Sequence, residues 1–145
     1  SRAALLTETS EIRQAGSALQ MTLGFAGPAV EPEPAAQRLA WERHLLGQPV
    51  SVHPLEVAAD RLPSHLPLRR LPEQPGQRVT VAGVRLPSWT GGQGFFLSDG
   101  DTFIIARGDG GRGAPPPWQP LVARGRWMSD EWGTAWFQVE ELEEA

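Results

Sequence analysis

Residues Gly76 to Arg107 read GQRVTVAGVRLPSWTGGQGFFLSDGDTFIIAR, and the fold is decided there. Val79 and Val81 alternate with Arg78, Thr80 and Ala82, the period of a half-buried strand. Gly83 breaks the alternation, and Val84 and Leu86 continue it one residue out of phase. One extra residue at a glycine predicts a β-bulge, which coils a strand enough to serve two sides of a small barrel. Pro87-Ser88-Trp89-Thr90-Gly91-Gly92 is a loop by composition, Gln93 to Ser98 a second strand, and Asp99-Gly100 a tight turn, since glycine takes the positive φ such turns need. Thr102 to Arg107 is a third strand. A coiled first strand followed by a hairpin predicts the opening of a five-stranded OB barrel, a fold that commonly holds single-stranded nucleic acid.

Downstream, Gly108 to Pro117 is a glycine- and proline-rich connection. Leu121 to Met128 predicts strand four, with Leu121, Ala123 and Trp127 on one side and Val122, Arg124 and Arg126 on the other. After a turn at Ser129–Gly133, Thr134 to Val139 predicts strand five, and Glu140–Glu144 a solvated acidic end. Upstream, Pro34 to Leu46 is the best helix of the chain, with Pro34 in its first turn and Gly47 at its stop. A second helix starts at Pro54, capped by Ser51 or His53, and runs to about Arg61. Leu66 to Pro75 reads as an irregular approach to the barrel. The fold class is therefore α+β, in three parts: residues 1–33, the end of an upstream helical region and a proline-rich linker; 34–75, a helical connector; 76–145, the OB barrel.

Composition narrows the function. With 13 basic against 17 acidic residues the formal charge is −4, which speaks against a strong non-specific nucleic-acid binder. The acids gather at Glu8–Glu11, Glu31–Glu33 and Glu140–Glu144, whereas Arg61 to Arg126 is basic, and every basic residue is arginine. The chain has no cysteine, which excludes disulfides and thiolate metal sites and fits a reducing, cytoplasmic location. His44, His53 and His65 lack ligand spacing, so no metal and no cofactor is expected. No apolar run reaches the roughly 20 residues of a membrane helix, so no membrane partner is expected. The first residue is not Met, and the chain reads as a piece of a longer polypeptide.

Three motifs in order resemble the C-terminal region of the bacterial C-family DNA polymerases, the DNA polymerase III alpha subunit and its error-prone relatives. They are Trp41-Glu42 with Leu46-Gly47, then Ser51-Val52-His53-Pro54-Leu55, then Gly76-Gln77-Arg78-Val79-Thr80-Val81-Ala82-Gly83. Gly94-Phe95-Phe96-Leu97-Ser98-Asp99 is similar to a shortened form of the family's next strand. The resemblance covers about residues 1 to 139. It implies a non-catalytic part of a nucleotidyltransferase, since the palm carboxylates lie outside this chain, and an OB barrel that guides single-stranded template in replication or translesion repair. It also implies a contact with the sliding clamp: Gln20-Met21-Thr22-Leu23-Gly24-Phe25 looks like the family's clamp motif, with Gln20, Leu23 and Phe25 as the anchoring positions. Where family members carry Arg and Gln in the loop between strands one and two, this chain has the uncharged Pro87–Gly92.

Single-strand binding needs flat rings for bases and cations for the backbone. Strand alternation turns Phe96, Phe103 and Arg107 outward if Phe95, Leu97, Ile104 and Ala106 face the core. Arg124 and Arg126 share a face of strand four, and Trp136 lies opposite Phe137. Trp89 and Trp132 sit in the two loops that rim an OB groove, and Arg85 precedes the first. Against this, most rings of so small a barrel belong to its core. The alternative is an interaction module that docks another replication or repair protein through Trp89, Trp132 and Trp136 without touching DNA.

Overall fold

The computed structural model describes residues 31–88, 90–92, 94–108 and 114–145. Five strands, β1 (Arg78–Arg85), β2 (Phe95–Ser98), β3 (Phe103–Arg107), β4 (Pro120–Ser129) and β5 (Ala135–Glu144), close into a barrel in the order β1-β2-β3-β5-β4. All neighbours are antiparallel except β3 and β5, which run parallel with Ala106 opposite Phe137 and Arg107 opposite Gln138. This is the five-stranded OB arrangement, on an α+β chain. Ahead of it stand helix α1 (Ala35–Leu46), helix α2 (Pro54–Ala58) and two 3-10 turns, Ala59–Arg61 and Leu68–Glu73.

The alternation read from the sequence fills the barrel. Val81, Phe95, Leu97, Ile104, Ala106, Leu121, Ala123, Phe137 and Val139 form one buried cluster, with Val79, Trp127 and Leu142 packed against it. Leu68 and Leu71 belong to the same cluster. The segment predicted as an irregular approach is thus a 3-10 turn that supplies two wholly buried core residues.

The predicted bulge in strand one is absent. β1 pairs with β4 in unbroken register from Arg78 opposite Arg126 to Val84 opposite Pro120. Val84 is out of phase because β1 is buried on both faces. Ala82, Val84 and Val122, on the outer side of the barrel, are as deeply buried as the core. Helix α2 packs on β1 and β4 there, with Pro54 and Ala58 buried. Gly83 meets a different need: a Cβ at this position would come within 2.6 Å of Leu97 Cγ, so the glycine lets β1 and β2 approach closely.

The bulge of this barrel lies instead on β5. Arg124 stands opposite Glu141 and Gly125 opposite Val139, which leaves Glu140 as the extra residue. A Cβ on Gly125 would lie 2.0 Å from the Gln138 carbonyl oxygen, so only glycine allows the crossing. β5 then continues to Glu144, so the acidic end, exposed as predicted, is also a paired strand.

Polar contacts brace the connector on itself and then join it to the barrel. The Glu42 carboxylate, on α1, accepts from the Val50 N–H at 2.7 Å and from both the N–H and the hydroxyl of Ser51. The Ser51 hydroxyl is the main reason that Glu42 is held below the usual carboxylate range. His53 caps α2, its Nδ1 accepting from the Leu55 N–H at 3.3 Å. Its ring lies over Gly100, where a Cβ would be 3.4 Å away. Asp99 completes the joint: Oδ2 accepts from the Leu68 N–H at 3.0 Å, and Oδ1 from the Thr102 and Asp101 N–H groups at 2.9 and 3.2 Å.

Two outcomes follow from this joint. Asp99→Ala leaves three backbone donors without their acceptor and lowers unfolding stability by about 1–3 kcal/mol, measured by urea denaturation. Burial, opposed by Glu56, Asp99 and Asp101, holds His53 below the ordinary imidazole value. The folded state therefore binds this proton less readily than the unfolded chain. Stability is full above about pH 6.5 and falls as the pH drops below that value, until the folded-state value is passed. Urea midpoints measured at successive pH values show this decline in the parent and a shallower one in His53→Gln.

Candidate nucleic-acid interface

Helix α2 covers the outer side of the barrel at Ala82, Val84 and Val122 of β1 and β4, and the outer wall of β2, β3 and β5 stays open. Four rings stand on or beside that wall. Phe96, opposite Ile105, and Phe103, opposite Ser98, meet edge to face with centroids 5.7 Å apart. Phe103 is 62% exposed and Phe96 half-buried. Further along the wall the Arg107 guanidinium lies 4.5 Å above the Trp136 ring. The Trp136 Nε1–H donates to Gln138 Oε1 at 3.2 Å, which fixes the indole. Such a cation–π contact contributes about 0.5–1 kcal/mol. Trp132, in the β4–β5 turn, is 85% exposed. Asp130 shapes that turn by accepting from the Trp132 and Thr134 N–H groups at 3.0 and 2.8 Å.

The structure places Phe96, Phe103, Arg107 and Trp136 on one wall, and Trp132 in an exposed turn. Three arginines differ from expectation. Arg85 stands opposite the core residue Leu97, partly buried, and its guanidinium donates to the Pro115 carbonyl at 2.9 Å; it ties the β3–β4 connection to β1. Arg124 and Arg126 do face outward, but β5 supplies them with carboxylates. Arg126 Nε pairs with Glu140 at 2.9 Å, and Arg124 with Glu141 at 3.0 Å. The extra residue of the bulge is the cause, because it brings Glu140 and Glu141 both within reach of the arginines. Trp89, and the segment with Gln20, Leu23 and Phe25, lie outside the described residues.

Arg78, Ile105 and Gln138 also stand on the outer wall and were not expected there. Alternation in β1 contains the signal for Arg78, which shares a face with Thr80. Gln138 joins the wall through the parallel β3–β5 pairing, which no local pattern announces.

Among the described residues no three His, Asp or Glu side chains could hold a metal ion, and no helix is long and apolar enough to cross a membrane. A groove of about 470 Å³ lies away from the barrel, along α1 between Pro32 and the Trp41–Leu46 side of the helix.

No family model and no curated protein matches the chain. Among solved structures it is similar to asparaginyl-tRNA synthetase from Pyrococcus horikoshii in complex with asparaginyl-adenylate, at 18% identity and a TM-score of 0.47. That match covers 57% of this chain and 22% of the synthetase, so the chain spans less than a quarter of that protein's length. It is also similar to the hypothetical protein YgiW of E. coli, at 13% identity and a TM-score of 0.46, over 57% of this chain and 91% of YgiW. The OB assignment rests on the strand order and register given above.

The carboxylate pairing sets a titration. Hydrogen bonds from Arg124, then from Arg78, hold Glu141 below the usual carboxylate range. The stabilisation from these pairs is present above the ordinary carboxylate value and is lost as the pH falls through the lowered one. NMR of the side-chain carboxyl carbons will show Glu141 titrating below an unperturbed glutamate, and Arg124→Gln will move it upward.

Proposed function

We propose that this chain binds single-stranded nucleic acid on the outer wall of β2, β3 and β5, as the non-catalytic C-terminal part of a polymerase like the DNA polymerase III alpha subunit or its error-prone relatives. One observation carries the reading: Phe96 with Phe103, and Trp136 beneath Arg107, present rings and a guanidinium on the strands where OB barrels take up oligonucleotides. Bases stack on such rings with little regard to sequence, at about 1–3 kcal/mol per base. The three polymerase-like motifs support the parentage. Glu42 of the first motif and Ser51 of the second brace the connector on itself, and His53 of the second sets its ring against Gly100 of the barrel. On this reading the chain works in the cytoplasm on the template strand, with the sliding clamp held through Gln20, Leu23 and Phe25 and with other replisome or repair proteins nearby.

A second reading has one observation in its favour. Glu140 and Glu141 neutralise Arg78, Arg124 and Arg126, so the barrel shows a polyanion few open charges. A wall of this kind also suits a protein partner docked on Trp132 and Trp136.

Fluorescence titration with oligo-dT at low salt separates the two. The nucleic-acid reading expects quenching of tryptophan, and a loss of affinity of about fivefold to 150-fold in Phe103→Ala. An absence of binding at low salt contradicts it and leaves the protein-docking reading.

A further inference from the structure

The outer wall holds a second feature, seen only in the register. Arg107 on β3 stands opposite Gln138 on β5, Gln138 opposite Arg126 on β4, and Arg126 opposite Arg78 on β1. The four residues form one row across four strands, all on the outside, because their chain neighbours Ala106, Phe137, Trp127 and Val79 pack in or against the core. Neighbouring strands lie about 4.8 Å apart, so the row runs for roughly 14 Å. It starts at the Arg107–Trp136 pair and leads away from the phenylalanines towards the exposed start of β1.

In the structure, carboxylates fill the far end of this row. Glu140 bridges the two arginines, with Oε2 2.9 Å from Arg78 Nε and Oε1 2.9 Å from Arg126 Nε. Glu141 reaches Arg78 at 2.7 Å and Arg124 at 3.0 Å. Arg78 and Arg126 are each about half exposed, 51% and 50% by side chain. Exposed ion pairs of this kind contribute little to stability, so an incoming oxyanion can replace them at small cost. Glu140 itself shows that one two-oxygen anion fits between Arg78 and Arg126, and a phosphodiester offers the same pair of acceptors.

We propose that the row Arg107–Gln138–Arg126–Arg78 is the track for the sugar–phosphate backbone of a bound single strand, and that Glu140 and Glu141 occupy its far end until the strand displaces them. This rests on the single-strand reading above and adds to it a path, two residues not otherwise implicated, and a built-in competitor. The bases at one end stack on Phe96, Phe103 and Trp136, while the backbone crosses the barrel towards β1. Arg124 lies beside the track, opposite the bulge.

Salt-dependent titration of oligo-dT tests the track. Each phosphate contact on a single strand contributes about −0.7 to the slope of log K against log salt. Arg126→Gln and Arg78→Gln are each expected to flatten the slope by about 0.7 and to weaken binding. Glu140→Gln/Glu141→Gln is expected to tighten binding by about threefold, the scale of the exposed pairs removed. Glu33→Gln/Glu56→Gln makes the same charge change on the connector and is expected to leave affinity nearly unchanged. Circular dichroism confirms that each variant is folded. If the parent binds and Phe103→Ala weakens it, but the arginine variants keep the parental slope, the track is wrong and the stacking wall stands. Equal tightening by both double variants also overturns the track, because net charge alone then explains it. If the parent does not bind, both proposals fall.

Discussion

Beyond its exposed start at Arg78, strand β1 has almost no side left for water. Its inner face, Val79 and Val81, belongs to the barrel core, and its outer face, Ala82 and Val84, lies under helix α2. Burying a valine-sized side chain contributes about 1.5–3 kcal/mol, and β1 gains this on both sides. The connector is therefore part of the barrel and not a spacer before it. Leu68 and Leu71 enter the core directly, and Asp99 and His53 fix the β2–β3 hairpin to the segment that precedes β1. A barrel so covered over one stretch of β1 and β4 keeps its outer surface open on β2, β3 and β5, and that surface continues onto the half-exposed Arg126 and Arg78.

Much of this was legible in the sequence. Alternation located all five strands, and the Pro34 and Pro54 helix starts fall where the helices begin. The outward set Phe96, Phe103, Arg107 and Trp136 follows from which neighbours are apolar enough to be core. What misled was the phase break at Gly83. A bulge and a strand buried on both faces leave the same one-dimensional trace, an apolar residue at the wrong parity. Only the helix that covers Val84 tells them apart, and that contact is non-local.

The arginines were the harder case, because their availability depends on the far end of the chain. Arg124 and Arg126 look free in their own strand. Their partners, Glu140 and Glu141, arrive through a bulge in β5, and a run of five acidic or apolar residues at a chain end gives no sign that it will pair. Composition reported a surplus of acid, and register shows where it acts: on the cations a polyanion would need. The wall thus combines an open ring, Phe103, and the partly covered Phe96 and Trp136 with charges that are largely satisfied.

The central claim is that ligand meets the wall of β2, β3 and β5, opposite the side covered by the connector. Amide chemical-shift mapping of the isotope-labelled chain during titration with oligo-dT tests this most directly. The account predicts that the shifts concentrate at Phe96, Phe103, Ile105, Arg107, Trp136 and Gln138, while Val52, Ala58, Ala82 and Val122 stay silent. Shifts centred on α1 and α2, with the wall unperturbed, would contradict it.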